Sequence, residues 1–135
     1  MKIWIDTNII LDVLCNRKGF VEDSSKIWKM CEINRIEGYI SALSVPNIVY
    51  ILRKELDPKK TMEIIQKLTL IFEVVDLRAS DLKNAAAMLT SDYEDAIQMC
   101  QAARIHADHI VTRNIRDFKE SSIRVSAPDE LLAKI

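Results

Sequence analysis

The 135-residue chain is 49% hydrophobic and 29% charged, which is typical of a globular protein long enough to bury a core. Its net charge of -1 excludes a protein-wide basic field, so a nucleic acid would have to be held by local groups of Lys and Arg. No apolar run reaches the roughly 18 residues needed to span a bilayer. Three cysteines without metal-ligand spacing, in a chain with no leading signal segment, predict a cytoplasmic protein.

Short apolar segments alternate with helical patterns along the chain. Strands are predicted over residues 2–5, 39–41, 72–75, 109–112 and 123–125. Apolar residues spaced by three and four predict helices over 9–14, 21–36, 45–56, 59–70, 82–89, 96–105 and 129–134. This alternation predicts an α/β fold in one domain over residues 1–135, with a central parallel sheet of about five short strands covered on both faces.

Three acidic residues lie where such a fold would place catalytic carboxylates. Asp6 follows the first strand, Asp95 opens a helix, and Asp117 follows the fourth strand. Ligands of open parallel sheets bind at the carboxyl ends of the strands, so we expect these side chains to converge. Clustered carboxylates can hold a hard divalent cation against a phosphate, which favours metal-dependent phosphodiester chemistry.

Helix capping is the alternative explanation for several of these acids. Residues 6–8, Asp-Thr-Asn, would all cap a helix well, and Asp92 suits the N-cap of the helix that contains Asp95. One acid is enough for a cap, whereas Asp92, Glu94 and Asp95 crowd three carboxylates whose repulsion a cation would relieve. For Asp117 the alternative is a solvated loop with surface charges.

Three short motifs follow one another in the chain: Ile5-Asp6-Thr7-Asn8-Ile9-Ile10-Leu11-Asp12, Glu94-Asp95-Ala96-Ile97 and Ile110-Val111-Thr112-Arg113-Asn114-Ile115-Arg116-Asp117-Phe118. Together they resemble the motifs of the PIN domain, and more closely those of the VapC-like toxin ribonucleases, over essentially the whole chain. The resemblance implies a three-layer α/β/α sandwich that hydrolyses RNA phosphodiester bonds with Mg²⁺ (or Mn²⁺). It also implies a small antitoxin protein as partner and, by analogy, a homodimer.

The resemblance also implies roles for individual residues. Asp6 and Asp95 would bind the metal, Asp117 would complete the acidic pocket as a third metal residue, and Thr112 and Asn114 would support it. Further pocket residues would be Asn8, Asn47, Asp92 and Glu94. Candidate contacts to RNA phosphates are Arg113 and Arg116.

One position departs from the family pattern, which usually has a Glu in the helix after the second strand. Asn47 stands there, and an amide brings neither charge nor basicity. A degenerate PIN module that binds RNA or protein without efficient cleavage is therefore the alternative function. A phosphatase of the haloacid-dehalogenase type is a third hypothesis, but it needs a second Asp where this chain has Asn8.

Overall fold

A five-stranded parallel sheet forms the centre of the structure, which is a computed structural model describing residues 1–135. The strands are β1 (Lys2–Ile5), β2 (Glu37–Ser41), β3 (Glu73–Val75), β4 (His109–Val111) and β5 (Arg124–Ser126). The α-helices are α1 (Thr7–Leu14), α2 (Val21–Glu32), α3 (Ser44–Leu52), α4 (Pro58–Ile71), α5 (Ala79–Ala87), α6 (Tyr93–Arg104) and α7 (Pro128–Leu132). A 3₁₀ helix, Ile115–Phe118, lies between β4 and β5. No helix combines the length and the apolar character that crossing a membrane requires.

The sheet is covered on both faces because side chains of β1 alternate between two cores. Ile3 and Ile5 pack into a large cluster with residues of α1, α2, α3, α4 and α7. Trp4 points to the other face, where it packs with Met99 of α6 and Phe118. The side chains of Ile3, Trp4 and Ile5 are all fully buried. The predicted three-layer α/β/α sandwich with five short strands is confirmed.

Two predicted helices extend about four residues too far, further than any of the others. α2 ends at Glu32 rather than at residue 36, because Asn34 adopts a left-handed conformation with a φ of 60°. α3 ends at Leu52 rather than at residue 56, and a turn leads to Asp57, whose side chain caps α4. An apolar residue after a helix can continue the helical spacing without being helical, which explains both errors.

The strand order β3-β2-β1-β4-β5 creates a switch point between β1 and β4. From β1 the chain proceeds outward through β2 to β3, then returns to the other side of β1 to form β4 and β5. The loops that leave β1 and β4 therefore diverge and open a crevice at the carboxyl end of the sheet. Asp6 follows β1 at this crevice, and its backbone N–H donates to the Val111 carbonyl at 3.1 Å.

Gly38 in β2 is packed so closely by its neighbours that a side chain of any size would clash with them. A Cβ atom at this position would lie 2.7 Å from Cys31 Sγ and 2.7 Å from the Phe72 ring. The Phe72 ring is itself held by an edge-on contact with Trp28, with ring centroids 5.0 Å apart. We expect Gly38→Ala to lower the free energy of unfolding by about 1–3 kcal/mol, as overpacking of a filled core does.

Urea unfolding of Gly38→Ala measures this loss. Gly19→Ala is the control, since Gly19 has open space around it and only a φ of +88° to constrain it. Its cost should therefore come from the backbone alone, at about 1 kcal/mol. A Gly38→Ala protein as stable as wild type would contradict the close packing between β2, α2 and Phe72.

Candidate functional site

An acidic cleft of about 400 Å³ lies at the switch point of the sheet. Five carboxylates line it, and no Lys or Arg does; they belong to Asp6, Asp92, Glu94, Asp95 and Asp117. The remaining lining residues are Thr7, Asn8, Leu11, Asn47, Tyr50, Ile51, Gln98 and Asn114. The structure thus brings together every acid that the sequence placed in the site.

Asp6 occupies the N-cap position of α1 but does not cap the helix with its side chain. Its carboxylate instead accepts a hydrogen bond from Thr112 Oγ1 at 2.8 Å on Oδ2 and one from Gln98 Nε2 at 3.2 Å on Oδ1. Thr112 Oγ1 in turn accepts from the Asn114 backbone N–H at 3.1 Å. Asp6 is only 3% exposed, and burial raises its pKa although the two side-chain hydrogen bonds act in the opposite direction. The capping alternative therefore does not account for the Asp6 side chain.

Capping does account for Asp92. Its side chain accepts a hydrogen bond from the backbone N–H of Asp95 at 3.0 Å, which makes it the N-cap of α6. The division that the sequence suggested is observed: Asp92 caps the helix, while the Asp95 side chain faces the cleft. Burial, together with the negative charges of Asp92, Asp6, Asp117 and Glu94, raises the pKa of Asp95 to about 7.

This raised pKa makes the stability of the metal-free protein depend on pH. Because the folded-state pKa of Asp95, about 7, exceeds the ordinary value of 3.8, the fold disfavours the charged form. The Asp95 contribution is most favourable below pH 3.8, is lost as the pH rises towards 7, and stays unfavourable above that. Asp95→Asn should therefore raise the melting temperature without metal at about pH 8, and by less at about pH 5.

Thermal melts at both pH values in a chelating buffer measure this difference. Glu63→Gln is the control, because Glu63 is exposed on α4 and its loss changes the charge by the same amount. An Asp95→Asn protein that gains no stability at high pH would show that the carboxylates of the cleft do not repel one another as their burial implies.

The other predicted pocket residues lie on separate elements around the cleft. Asn47 is in the first turn of α3, Glu94 is in the first turn of α6, and Asp117 is exposed on the 3₁₀ helix. Asn8 lines the cleft on α1, and its Oδ1 accepts a hydrogen bond from Arg17 Nη1 at 3.3 Å. The Asn at position 8 also leaves the phosphatase hypothesis without its second acid. Thr7 bonds to Ser44 Oγ at 2.6 Å, which connects α1 to α3.

The two arginines predicted to meet phosphate do not line the cleft. Arg113 donates from Nε to Asp12 Oδ2 at 3.0 Å, and its guanidinium lies 4.0 Å from the centre of the Phe20 ring. Asp12 is fully buried and needs a cationic partner, which is the physical reason for this orientation. Arg116 is exposed on the 3₁₀ helix, outside the cleft.

Gln98 is a buried polar residue of the cleft that the sequence analysis did not identify. It lies three residues after Asp95 on α6, so both side chains face the same side of the helix. In the sequence, Gln98 stands between the apolar residues Ile97 and Met99, and all three are buried. A polar residue in such a buried stretch needs a hydrogen-bond partner, and this was the sign in the sequence that could have identified it. Its Oε1 accepts a hydrogen bond from the Trp4 indole Nε1 at 2.9 Å, between the sheet and α6.

The chemistry of the donors fits a hard divalent cation. The cleft is lined by five Asp and Glu side chains and by no Lys, Arg or His, and the amide oxygens of Asn47 and Asn114 are also hard ligands. No three His, Cys, Asp or Glu side chains of the chain already form a group that could hold a metal ion. The fit therefore rests on the type of ligand and on the accumulated negative charge, since no lysine or arginine is among the lining residues.

Comparisons with known proteins agree with this fold. A model of the PIN domain matches residues 2–116. Curated protein sequences give no significant match. Among solved structures, VapBC-1 from nontypeable Haemophilus influenzae superposes with a TM-score of 0.73 at 15% identity, covering 96% of this chain and 99% of that one.

Two further structures share the fold at similarly low identity. DNA-bound VapBC from Salmonella typhimurium has a TM-score of 0.70 at 19% identity and covers 95% of this chain and 98% of that one. The VapC20 toxin of Mycobacterium tuberculosis, described as cleaving the sarcin-ricin loop, has a TM-score of 0.65 at 11% identity, with 80% and 86% covered. The family match over most of the chain, together with the α/β/α fold and the acidic cleft at its switch point, shows that the chain belongs to the PIN domain family.

Proposed function

We propose that the protein is a Mg²⁺-dependent endoribonuclease and the toxin of a toxin-antitoxin pair. The observation that carries this proposal is the cleft itself: five carboxylates converge at the carboxyl end of the sheet without a lysine or arginine among the lining residues. Such a concentration of negative charge repels an RNA phosphate unless a cation lies between them. Carboxylate ligands favour Mg²⁺ or Mn²⁺ over Zn²⁺.

Some residues of the cleft are proposed to bind the metal, and others hold those ligands in place. Asp6 and Asp95 are the proposed metal ligands, and Asp117 on the exposed 3₁₀ helix completes the site. Thr112 fixes the Asp6 carboxylate, while Asn114 donates to Thr112 through its backbone and lines the cleft with its side chain. A bound Mg²⁺ would lower the pKa of the attacking water and neutralise negative charge on the phosphate. Asp117 and Glu94 are exposed and can reach a substrate entering from solvent.

The choice of RNA as substrate rests on structural likeness. VapC20, which shares the fold, is described as a toxin that cleaves the sarcin-ricin loop. Several of the similar structures are VapBC or toxin-antitoxin complexes, which supports a small antitoxin protein as partner. A toxin of this kind would act in the cytoplasm, where its RNA is found.

Exposed apolar side chains on α3 and α4 offer a surface for the antitoxin. Tyr50 is 67% exposed and also lines the cleft, Met62 is 45% exposed, and Leu70 is 86% exposed. An amphipathic partner helix could cover residues of this kind and block access to the cleft through Tyr50. A homodimer that uses the same helices is the competing use of this surface.

An RNA cleavage assay tests the proposal. The full chain is incubated with single-stranded and stem-loop RNA in Mg²⁺, in Mn²⁺ and in a chelator. We expect internal cleavage with either metal and none with the chelator. Cleavage that persists in the chelator would exclude the metal-dependent mechanism, and intact RNA under all conditions would favour the alternative below.

A binding module that does not cut RNA efficiently is the second candidate, because Asn47 leaves one wall of the cleft uncharged. Asn47 lies on α3 with Tyr50 and Ile51, and it lines the same cleft as the acids of α6. A neutral amide there lowers the ligand charge that a cation would experience. Clear RNA binding without cleavage in Mg²⁺ or Mn²⁺ would support this candidate.

Asn47→Glu should restore the missing charge. We expect it to strengthen Mn²⁺ binding roughly tenfold, since ligand charge sets the affinity of carboxylate sites. Without metal the same change should lower the melting temperature, because a sixth carboxylate joins the five already in the cleft.

Calorimetric titration with Mn²⁺, together with melts in a chelator, measures both effects. Asn47→Gln is the control, with the length of Glu and no charge. If Asn47→Glu binds Mn²⁺ no better than Asn47→Gln does, position 47 does not face the cation.

A further inference from the structure

A line of hydrogen bonds runs from the core beside the sheet to the Asp6 carboxylate in the cleft. Trp4 Nε1 donates to Gln98 Oε1 at 2.9 Å, and Gln98 Nε2 donates to Asp6 Oδ1 at 3.2 Å. The three residues are 0%, 5% and 3% exposed, respectively, so water does not compete for these contacts. None of the sequence motifs contains Gln98 or Trp4.

The chemistry of the groups fixes the direction of this line. An indole N–H can only donate, so the Gln98 atom that faces Trp4 must be the carbonyl oxygen. The amide nitrogen of Gln98 then faces Asp6, whose ionised carboxylate can only accept. Both neighbours thus require the same orientation of the Gln98 amide, and a flipped amide would place two donors together at Trp4 and two acceptors together at Asp6.

The result is a carboxylate held at both oxygens. Gln98 donates to Oδ1 of Asp6 and Thr112 donates to Oδ2, so the plane of the carboxylate cannot rotate freely. Each oxygen retains acceptor capacity for a further ligand. Buried groups that orient a metal ligand in this way typically contribute about 10–100-fold to metal affinity.

We propose that Trp4 and Gln98 are positioning residues, which orient the Asp6 carboxylate for a divalent cation without contacting the cation themselves. This inference rests on the proposed metal-dependent function of the cleft. It assigns Trp4 a role beyond filling the core beside Met99 and Phe118. A tryptophan that only filled the core would affect stability and leave metal affinity unchanged.

Mn²⁺ titration calorimetry of the full chain tests this role with matched tryptophan variants. Trp4→Phe removes the indole N–H and keeps an aromatic ring, and we expect Mn²⁺ affinity to fall about tenfold. Trp28→Phe is the control, because Trp28 makes an aromatic contact with Phe72 on the other face of the sheet. Its Mn²⁺ affinity should equal that of wild type.

A double-mutant cycle separates positioning from packing. Gln98→Leu should weaken Mn²⁺ binding by at least as much as Trp4→Phe does. In the Gln98→Leu background, Trp4→Phe should cause no further loss, because Trp4 acts through Gln98. Should Trp4→Phe fail to fold, Gln98→Leu alone carries the test with the same expected loss of about tenfold.

The outcomes distinguish this inference from the function on which it rests. If wild type binds Mn²⁺ and Trp4→Phe binds it equally well, or if the two substitutions act additively, the positioning role is overturned and the proposed function stands. If Gln98→Leu has wild-type affinity, the positioning role is likewise overturned. If wild type binds no Mn²⁺ at all, both the proposed function and the positioning role are overturned.

Discussion

Replacing Asp6 with asparagine is expected to reduce Mg²⁺-dependent RNA cleavage by at least about 100-fold, since the ligand charge of the cation is lost. The hydrogen bonds around Asp6 make the amide a poor substitute as well. Gln98 Nε2 and Thr112 Oγ1 both donate to the carboxylate, one to each oxygen. An asparagine can accept only one of these bonds. Its NH₂ group would either meet Gln98 Nε2, a second donor, or reverse the hydrogen bond to the Thr112 hydroxyl.

Initial rates with a fluorescent RNA, together with Mn²⁺ affinity, measure this loss. Asp92→Asn is the control from the same cleft, because asparagine caps a helix as well as aspartate does. Asp92→Asn removes one charge and preserves the cap of α6, but it does not remove a proposed metal ligand. We therefore expect the cleavage rate and the Mn²⁺ affinity to fall by less than about tenfold. If Asp6→Asn cleaves RNA at the wild-type rate, Asp6 is not a ligand of the catalytic metal.

Replacing Asp12 with alanine is expected to lower the free energy of unfolding by about 3–5 kcal/mol, as breaking a buried ion pair does. Asp12 is fully buried and is contacted by Arg113 Nε at 3.0 Å, Ser24 Oγ at 3.2 Å and Arg17 Nη1 at 3.5 Å. The two arginines retain 24% and 32% side-chain exposure and can regain some water, so the lower end of this range applies.

This ion pair also tethers the loop that supports the site. Arg113 lies between Thr112, which bonds to Asp6, and Asn114, which lines the cleft. Asp12→Ala should therefore reduce Mn²⁺ affinity in the protein that remains folded. Asp23→Ala is the control, since its contact with Lys26 is exposed and should contribute less than about 1 kcal/mol. Equal stability of the two variants in urea unfolding would show that the buried pair is not a tether.

The sequence predicted the features that depend on local pattern. Alternating strands and helices gave the parallel sheet, and the positions of Asp6 and Asp117 after strands predicted their place at its carboxyl end. The crowding of Asp92, Glu94 and Asp95 predicted that one acid would cap α6 while another faced the cleft, and the geometry shows this division.

Contacts between distant parts of the chain were not predictable in this way. Arg113 was expected to meet phosphate, but its partner Asp12 lies 101 residues away in the sequence. Trp4 and Gln98 are separated by 94 residues, and nothing local indicates that an indole N–H needs an acceptor on α6. Hydrogen-bond partners of buried polar groups are set by the packing of the layers, which spacing patterns do not describe.

Anomalous diffraction from crystals soaked in Mn²⁺ shows directly whether the acids of the cleft bind a divalent cation. We expect an anomalous peak within about 2.2 Å of carboxylate oxygens of both Asp6 and Asp95, with Asp117 close by, as is usual for a hard cation with oxygen ligands. Mn²⁺ found only at other sites, or no peak in the cleft at saturating Mn²⁺, would contradict the claim that these acids form a metal site.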